Sequence, residues 1–167
     1  GKAVMLRYAE GSASTMKREQ GFLDGMKAHG GAIELLSTNQ YGGVTAESAF
    51  QASQNLLNRF DDIDGIFCPN ESTTFGMLRA LQTSGKAGKI KCVGFDSSEP
   101  LVTALEKGEI HGLAVQNPFK MGYLGVKAAV DALQGKEVDD RIDTGVTLVT
   151  PENMDEAAVK QLLEPDL

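Results

Sequence analysis

Segments with a strand pattern and segments with helical periodicity alternate six times along this chain, with short connections between them. That rhythm limits the fold more than any single motif does, because it belongs to a parallel sheet wound on both faces by helices. Lys2–Tyr8 reads as the first strand, broken by Gly11 and Ser12, and Phe22, Leu23 and Met26 give the buried side of a helix stopped at His29-Gly30-Gly31. Ala32–Ser37 is the second strand, Thr38–Val44 a loop with Tyr41 and Gly42-Gly43, and Thr45 the cap of a helix with Ala49, Phe50, Leu56 and Leu57 on one face. A wholly apolar strand, Gly65–Cys68, turns through Pro69-Asn70 into the helix Glu71–Ser84. Ile90–Ser97, Pro100–Lys107, His111–Gln116, Phe119–Gln134, Val146–Val149 and Glu152–Leu163 continue the alternation. The expected fold class is α/β, a three-layer doubly wound parallel sheet.

The run Ile90–Ser97 is short, apolar and ends in an acid, so it predicts a central strand that carries Asp96 to the rim where open α/β sheets bind ligands. Asn70 and Gln116 end two further strands at the same rim, and Arg18 lies one turn into the first helix, within reach of it. Each residue alone reads as a turn or cap residue. Together they hold a carboxylate acceptor, two amides that donate and accept, and a five-donor guanidinium. A polyhydroxylated ligand needs such a set, since each hydroxyl left unpaired on burial costs roughly 1–3 kcal/mol. Tyr41 is the candidate aromatic to cover a sugar ring.

Other chemistry finds little support. A net charge of −7 argues against a nucleic-acid surface, which needs clustered Lys and Arg. Walker A, GxGxxG and GxSxG patterns are missing, and no nucleophile, base and orienter come together, so neither a cofactor, a metal nor an enzyme is expected. His29 and His111 read as structural, and Cys68 and Cys92 as buried free thiols. The chain opens at Gly1 without Met and is read as a mature, processed or fragmentary chain.

RxxGF (Arg18, Gly21, Phe22), NLL (Asn55–Leu57), IDGIFCPNE (Ile63–Glu71), VGFD (Val93–Asp96) and GxxVQNP (Gly112–Pro118) occur in that order. The set resembles the C-terminal half of periplasmic sugar-binding proteins of the ribose/galactose type, the type I receptors of ABC importers. The resemblance implies that Arg18, Asn70, Asp96 and Gln116 hydrogen-bond a sugar. Where such proteins often carry an aromatic before the second helix, this chain has Val44. It implies further that residues 1–117 and 150–167 form a C-terminal sugar-binding lobe. Segment 118–149 would cross a hinge at Asn117, Pro118, Thr150 and Pro151 and pack on an N-terminal lobe that this chain does not contain. The expected function is capture of a ribose-like monosaccharide in the periplasm for a membrane permease. The alternative is the effector-binding domain of a LacI-type transcriptional regulator. Phe119, Tyr123, Val126, Val130 and Leu133 form an apolar stripe at helical spacing that needs a partner, either the N-terminal lobe or a second copy of the chain.

Overall fold

A computed structural model describes residues 1–164, so the last three positions of the 150–167 segment lie outside the described residues. Six strands, β1 (Lys2–Arg7), β2 (Glu34–Tyr41), β3 (Gly65–Phe67), β4 (Lys91–Phe95), β5 (Gly112–Gln116) and β6 (Val146–Val149), form one sheet in the order β2-β1-β3-β4-β5-β6. The helices are α1 (Ala13–Ala28), α2 (Ala46–Arg59), α3 (Glu71–Thr83), α4 (Glu99–Glu106), α5 (Pro118–Leu133) and α6 (Ala157–Leu163). The first five strands are parallel, as the alternation predicts, but β6 pairs antiparallel with β5. An antiparallel return means that the excursion through α5 leaves the carboxyl end of β5 and comes back to that same end.

Two boundaries and one buried face differ from the sequence reading. β2 runs on through Thr38–Tyr41, because β1 pairs with it as far as Leu6↔Gln40 and Arg7↔Tyr41; on an edge strand, backbone pairing outweighs polar side chains. α6 begins five residues after Glu152. Asn153 holds a turn there, its Oδ1 accepting from Thr150 N–H (2.8 Å) and its Nδ2 donating to Leu148 O (2.9 Å). On α1 the fully buried residues are Thr15 and Glu19, while Phe22, Leu23 and Met26 are only half-buried.

The sheet's two faces are covered unequally. On one, Val4, Leu6, Ile66 and Cys92 pack beneath Leu56, Met77 and Leu81 of α2 and α3. Leu113, Val115 and Val149 continue that layer under Leu78, Leu101 and Leu105. Each such side chain contributes about 1.5–3 kcal/mol when fully buried. Close approach here depends on two glycines. A Cβ on Gly76 would lie 2.6 Å from Ala49 Cβ and 2.7 Å from Phe50 N, and one on Gly94 would lie 2.1 Å from Thr74 Cγ2. On the other face α1 covers β1, and Phe22 stacks on Phe67 with ring centres 4.7 Å apart. Beyond it Val93 and Ala114 are half-buried, and Val146 and Leu148 are exposed.

Cys68 and Cys92 are free and buried, and burial pushes the Cys68 thiol well up, with Cys92 beside it adding to the shift. The His111 imidazole staples β4 to β5, its Nδ1 accepting from Cys92 N–H at 3.2 Å. No helix among the described residues is long and apolar enough to cross a membrane.

Candidate functional site at the carboxyl rim

β1, β3, β4 and β5 all end at one rim, with the strand order reversing between β1 and β3. Such a reversal opens a crevice at the carboxyl ends of the strands. Arg18 reaches into it from the second turn of α1. Its Nη1 donates to Pro69 O (2.9 Å), its Nη2 to Gln116 Oε1 (2.7 Å), and its guanidinium carbon lies 3.8 Å from the centre of the Phe95 ring. One side chain thus links the ends of β3, β4 and β5. Burial pulls the Arg18 pKa down and the charge of Asp96 pulls it up; an arginine stays protonated under both.

Asn70 caps α3. Its Oδ1 accepts from Thr73 N–H (3.4 Å) and Thr73 Oγ1–H (2.6 Å), and its Nδ2 donates to Ser72 Oγ (3.1 Å). The structural role foreseen for an Asn at this position is therefore present. Asp96 follows β4 with φ +71, left-handed backbone that Asp tolerates better than most side chains. Asp96 Oδ2 accepts from Glu71 N–H (3.2 Å), and its own N–H donates to Ala114 O (3.0 Å). Gly94 sets this up: Thr74 Oγ1 accepts from Phe95 N–H (3.1 Å), which only a residue without Cβ permits at that separation.

These bonds orient the whole set. The oxygens of Asn70 and Gln116 are both engaged by protein donors, and the Asn70 NH₂ donates one bond to Ser72, which leaves NH₂ donors of both amides over for a ligand. Arg18 adds N–H donors. Asp96 Oδ1, with no hydrogen-bond partner among the described residues, is the acceptor. The rim thus gathers amide and guanidinium donors and one carboxylate acceptor.

Tyr41 belongs to a different group. Arg7, at the end of β1, lies 4.9 Å from the centre of its ring and pairs with the buried Glu19 through Nε (2.8 Å) and Nη2 (2.7 Å). Glu19 Oε1 also accepts from Tyr8 N–H at 3.2 Å. One ring face of Tyr41 is therefore occupied by protein. Val44 stands exposed ahead of the α2 cap, where Thr45 and Ser48 form a reciprocal capping box. Arg7, Glu19 and Phe95 escaped the sequence reading. The available signal was the acid at position 19, on the buried side of α1, in register with a strand ending in Arg. Of the residues expected to form a hinge, Asn117 caps α5 by accepting from Lys120 N–H (2.8 Å), Pro118 opens its first turn, and Thr150 and Pro151 follow β6. No cluster of His, Cys, Asp and Glu among the described residues is arranged to hold a metal.

A single mostly parallel sheet wound by helices, with hydrogen-bonding side chains gathered at its carboxyl rim, defines an α/β fold of the doubly wound type. The profile of the periplasmic binding protein domain matches residues 1–137, and the chain belongs to that family. It is 30% identical over 148 residues to a ribose import binding protein of Salmonella typhimurium, an alignment covering 89% of this chain and 49% of that protein. A carbohydrate transporter solute-binding protein of Agrobacterium radiobacter, solved in complex with D-arabinose, superposes with a TM-score of 0.93. It is 30% identical, with 98% of this chain and 55% of that one covered. The periplasmic component of an ABC-type sugar transport system of Hahella chejuensis is 42% identical with a TM-score of 0.85, over 89% and 53% of the two chains. The chain spans about half the length of the relatives it matches.

Proposed function

We propose that this chain is one lobe of the substrate-binding component of an ABC importer, and that its carboxyl rim captures an uncharged monosaccharide without chemical change. The observation that carries the reading is the Arg18–Gln116–Asp96–Asn70 set, in which Arg18 bonds to Gln116 and Pro69 O and Asp96 keeps one carboxylate oxygen without a hydrogen-bond partner among the described residues. A sugar hydroxyl facing Asp96 donates to it and accepts from a neighbouring amide or guanidinium, which leaves neither partner unpaired. Arg18 and Asp96 balance each other's charge, which suits a neutral ligand. A ribose-like pentose or a related sugar is the class that fits what those relatives bind, ribose and D-arabinose among them. Extracytoplasmic placement and delivery to a membrane permease follow from the same reading. In it a second body closes over the rim about Asn117, Pro118, Thr150 and Pro151.

Calorimetric titration of the intact two-lobed polypeptide with D-ribose, D-allose, D-arabinose and D-fucose tests the proposal. At least one is expected to bind, and Asp96→Ala is expected to cost tenfold or more in affinity while the thermal transition survives. Loss of the fold in Asp96→Ala, with sugar affinity unchanged in the folded fraction, makes the carboxylate a structural cap of α3 only.

A further inference from the structure

Among the described residues Glu19 is the only buried charged side chain, 1% exposed. Both its oxygens are engaged: Oε2 accepts from Arg7 Nε (2.8 Å) and Nη2 (2.7 Å), and Oε1 accepts from Tyr8 N–H (3.2 Å). A buried ion pair is a weak source of stability, since packed apolar side chains of the same volume commonly hold a helix as well or better. What this pair does fix is a direction. It holds the Arg7 guanidinium in one orientation, with its carbon 4.9 Å from the centre of the Tyr41 ring.

The place of that contact is a second, independent observation. Arg7 and Tyr41 are register partners at the last residues of β1 and β2, so both lie at the carboxyl rim. The backbone just beyond is tied down, Gly42 N–H donating to Arg7 O (2.7 Å) and Gly43 N–H to Tyr8 O (3.0 Å). The reversal between β1 and β3 is therefore flanked on both sides by a guanidinium laid on a ring: Arg18 on Phe95 of β4, and Arg7 on Tyr41 of β2. Neighbouring positions of α1 serve the two sides. Arg18 reaches over one directly, and Glu19 grips Arg7 on the other.

We propose that Glu19 and Arg7 are positioning residues for the ligand. They set the Tyr41 ring before a sugar arrives, Arg7 on one face and the other face left for the apolar side of a sugar ring. Tyr41 is 36% exposed on an edge strand, and no second aromatic ring or cation lies against it among the described residues. Ordering an unheld ring there would subtract from the binding free energy, whereas a ring already held binds without that cost. Glu19, buried beneath α1, acts only through Arg7. The inference rests on the proposed capture of a sugar and adds to it how the platform is held.

A double-mutant cycle in the intact two-lobed polypeptide tests it, read by calorimetry with a sugar that the parent binds. The neutral pair Arg7→Gln, Glu19→Gln removes both charges together, so no buried charge is left without a partner, and its circular dichroism is expected to match the parent's. Tyr41→Ala in the parent is expected to weaken binding about tenfold. In the neutral-pair background the same substitution is expected to cost less than about threefold, because the ring has already lost its position. Glu19→Gln alone, which leaves Arg7 able to reach water, is the milder second variant and goes through the same cycle with the same expectations. A pair that only staples α1 to β1 lowers the melting temperature and leaves the cost of Tyr41→Ala equal in both backgrounds. That result, or a Tyr41→Ala parent that binds as tightly as before, would overturn the inference while leaving sugar capture standing. A parent that binds none of the sugars titrated overturns the proposed function and this inference with it.

Discussion

The two faces of the sheet are built from the same strands and behave as different environments. On the α2–α3–α4 face the alternate positions Val4, Leu6, Ile66, Cys92 and Leu113 are sealed. On the α1 face the intervening positions Phe67, Val93 and Ala114 are only half-buried, and Leu148 is 56% exposed. The strands carry apolar residues on both faces regardless. A chain that ended its business with one covered face would place polar residues on the other. This one keeps an apolar surface there, and the difference teaches that strand composition follows the parallel fold and not the degree of cover seen on each face.

The contrast breaks if truncation costs the same on both faces. Leu81→Ala on the sealed face is expected to lower unfolding free energy by about 2–5 kcal/mol, because α2 and α3 cannot collapse into the hole. Gly76→Ala, which must push Ala49 and the backbone at Phe50, is expected to cost about 1–3 kcal/mol. Phe67→Ala on the bare face, stacked on Phe22 but half open to solvent, is expected to cost about 1–2 kcal/mol, less than a buried aromatic does. Urea midpoints at one protein concentration check all three. An equal loss for Phe67→Ala and Leu81→Ala would mean that the bare face is as tightly packed as the core.

The smallest effect sharpens the comparison at the strand ends. Burial, with Lys91 adding to it, pulls the His111 pKa below the ordinary 6.5. The unfolded chain therefore takes up the proton first. The stability that neutral His111 contributes is complete above about pH 6.5, and it is lost as the pH falls from there toward the folded pKa. Protonation of Nδ1 also removes its acceptance from Cys92 N–H. A pH series from 8 to 5 is expected to show this slope in the parent and a flatter one in His111→Gln.

How much the sequence could say follows the same division. Strand and helix alternation, the Thr45 and Asn70 caps, and the central place of the strand before Asp96 were all legible, because each rests on local chemistry: periodicity, N-cap oxygens, an apolar run. The extension of β2 was not, because its pairing with β1 is decided by backbone bonds between residues more than thirty positions apart. The direction of β6 was hidden for the same reason. At the rim, residue types pointed to Arg18, Asn70, Asp96 and Gln116 as one group, and bonds and ring contact tie Arg18 to Gln116 and to the ends of β3 and β4. Tyr41 was assigned by residue type alone, and nothing in its local sequence revealed that Arg7 and Glu19 would claim one side of its ring.

The left-handed backbone at Asp96 has a consequence for how such a rim changes its ligand over evolutionary time. At φ +71 a β-branched or bulky residue is costly, so the accessible replacements narrow to Asn, Gly and few others. Arg18 is tied at both ends, and Asn70 holds up a helix. Val44 has neither duty and stands in solvent. Under the proposed function, drift toward a new sugar has an open door at position 44 and a nearly closed one at 96, so a retargeting library for laboratory evolution should begin at 44.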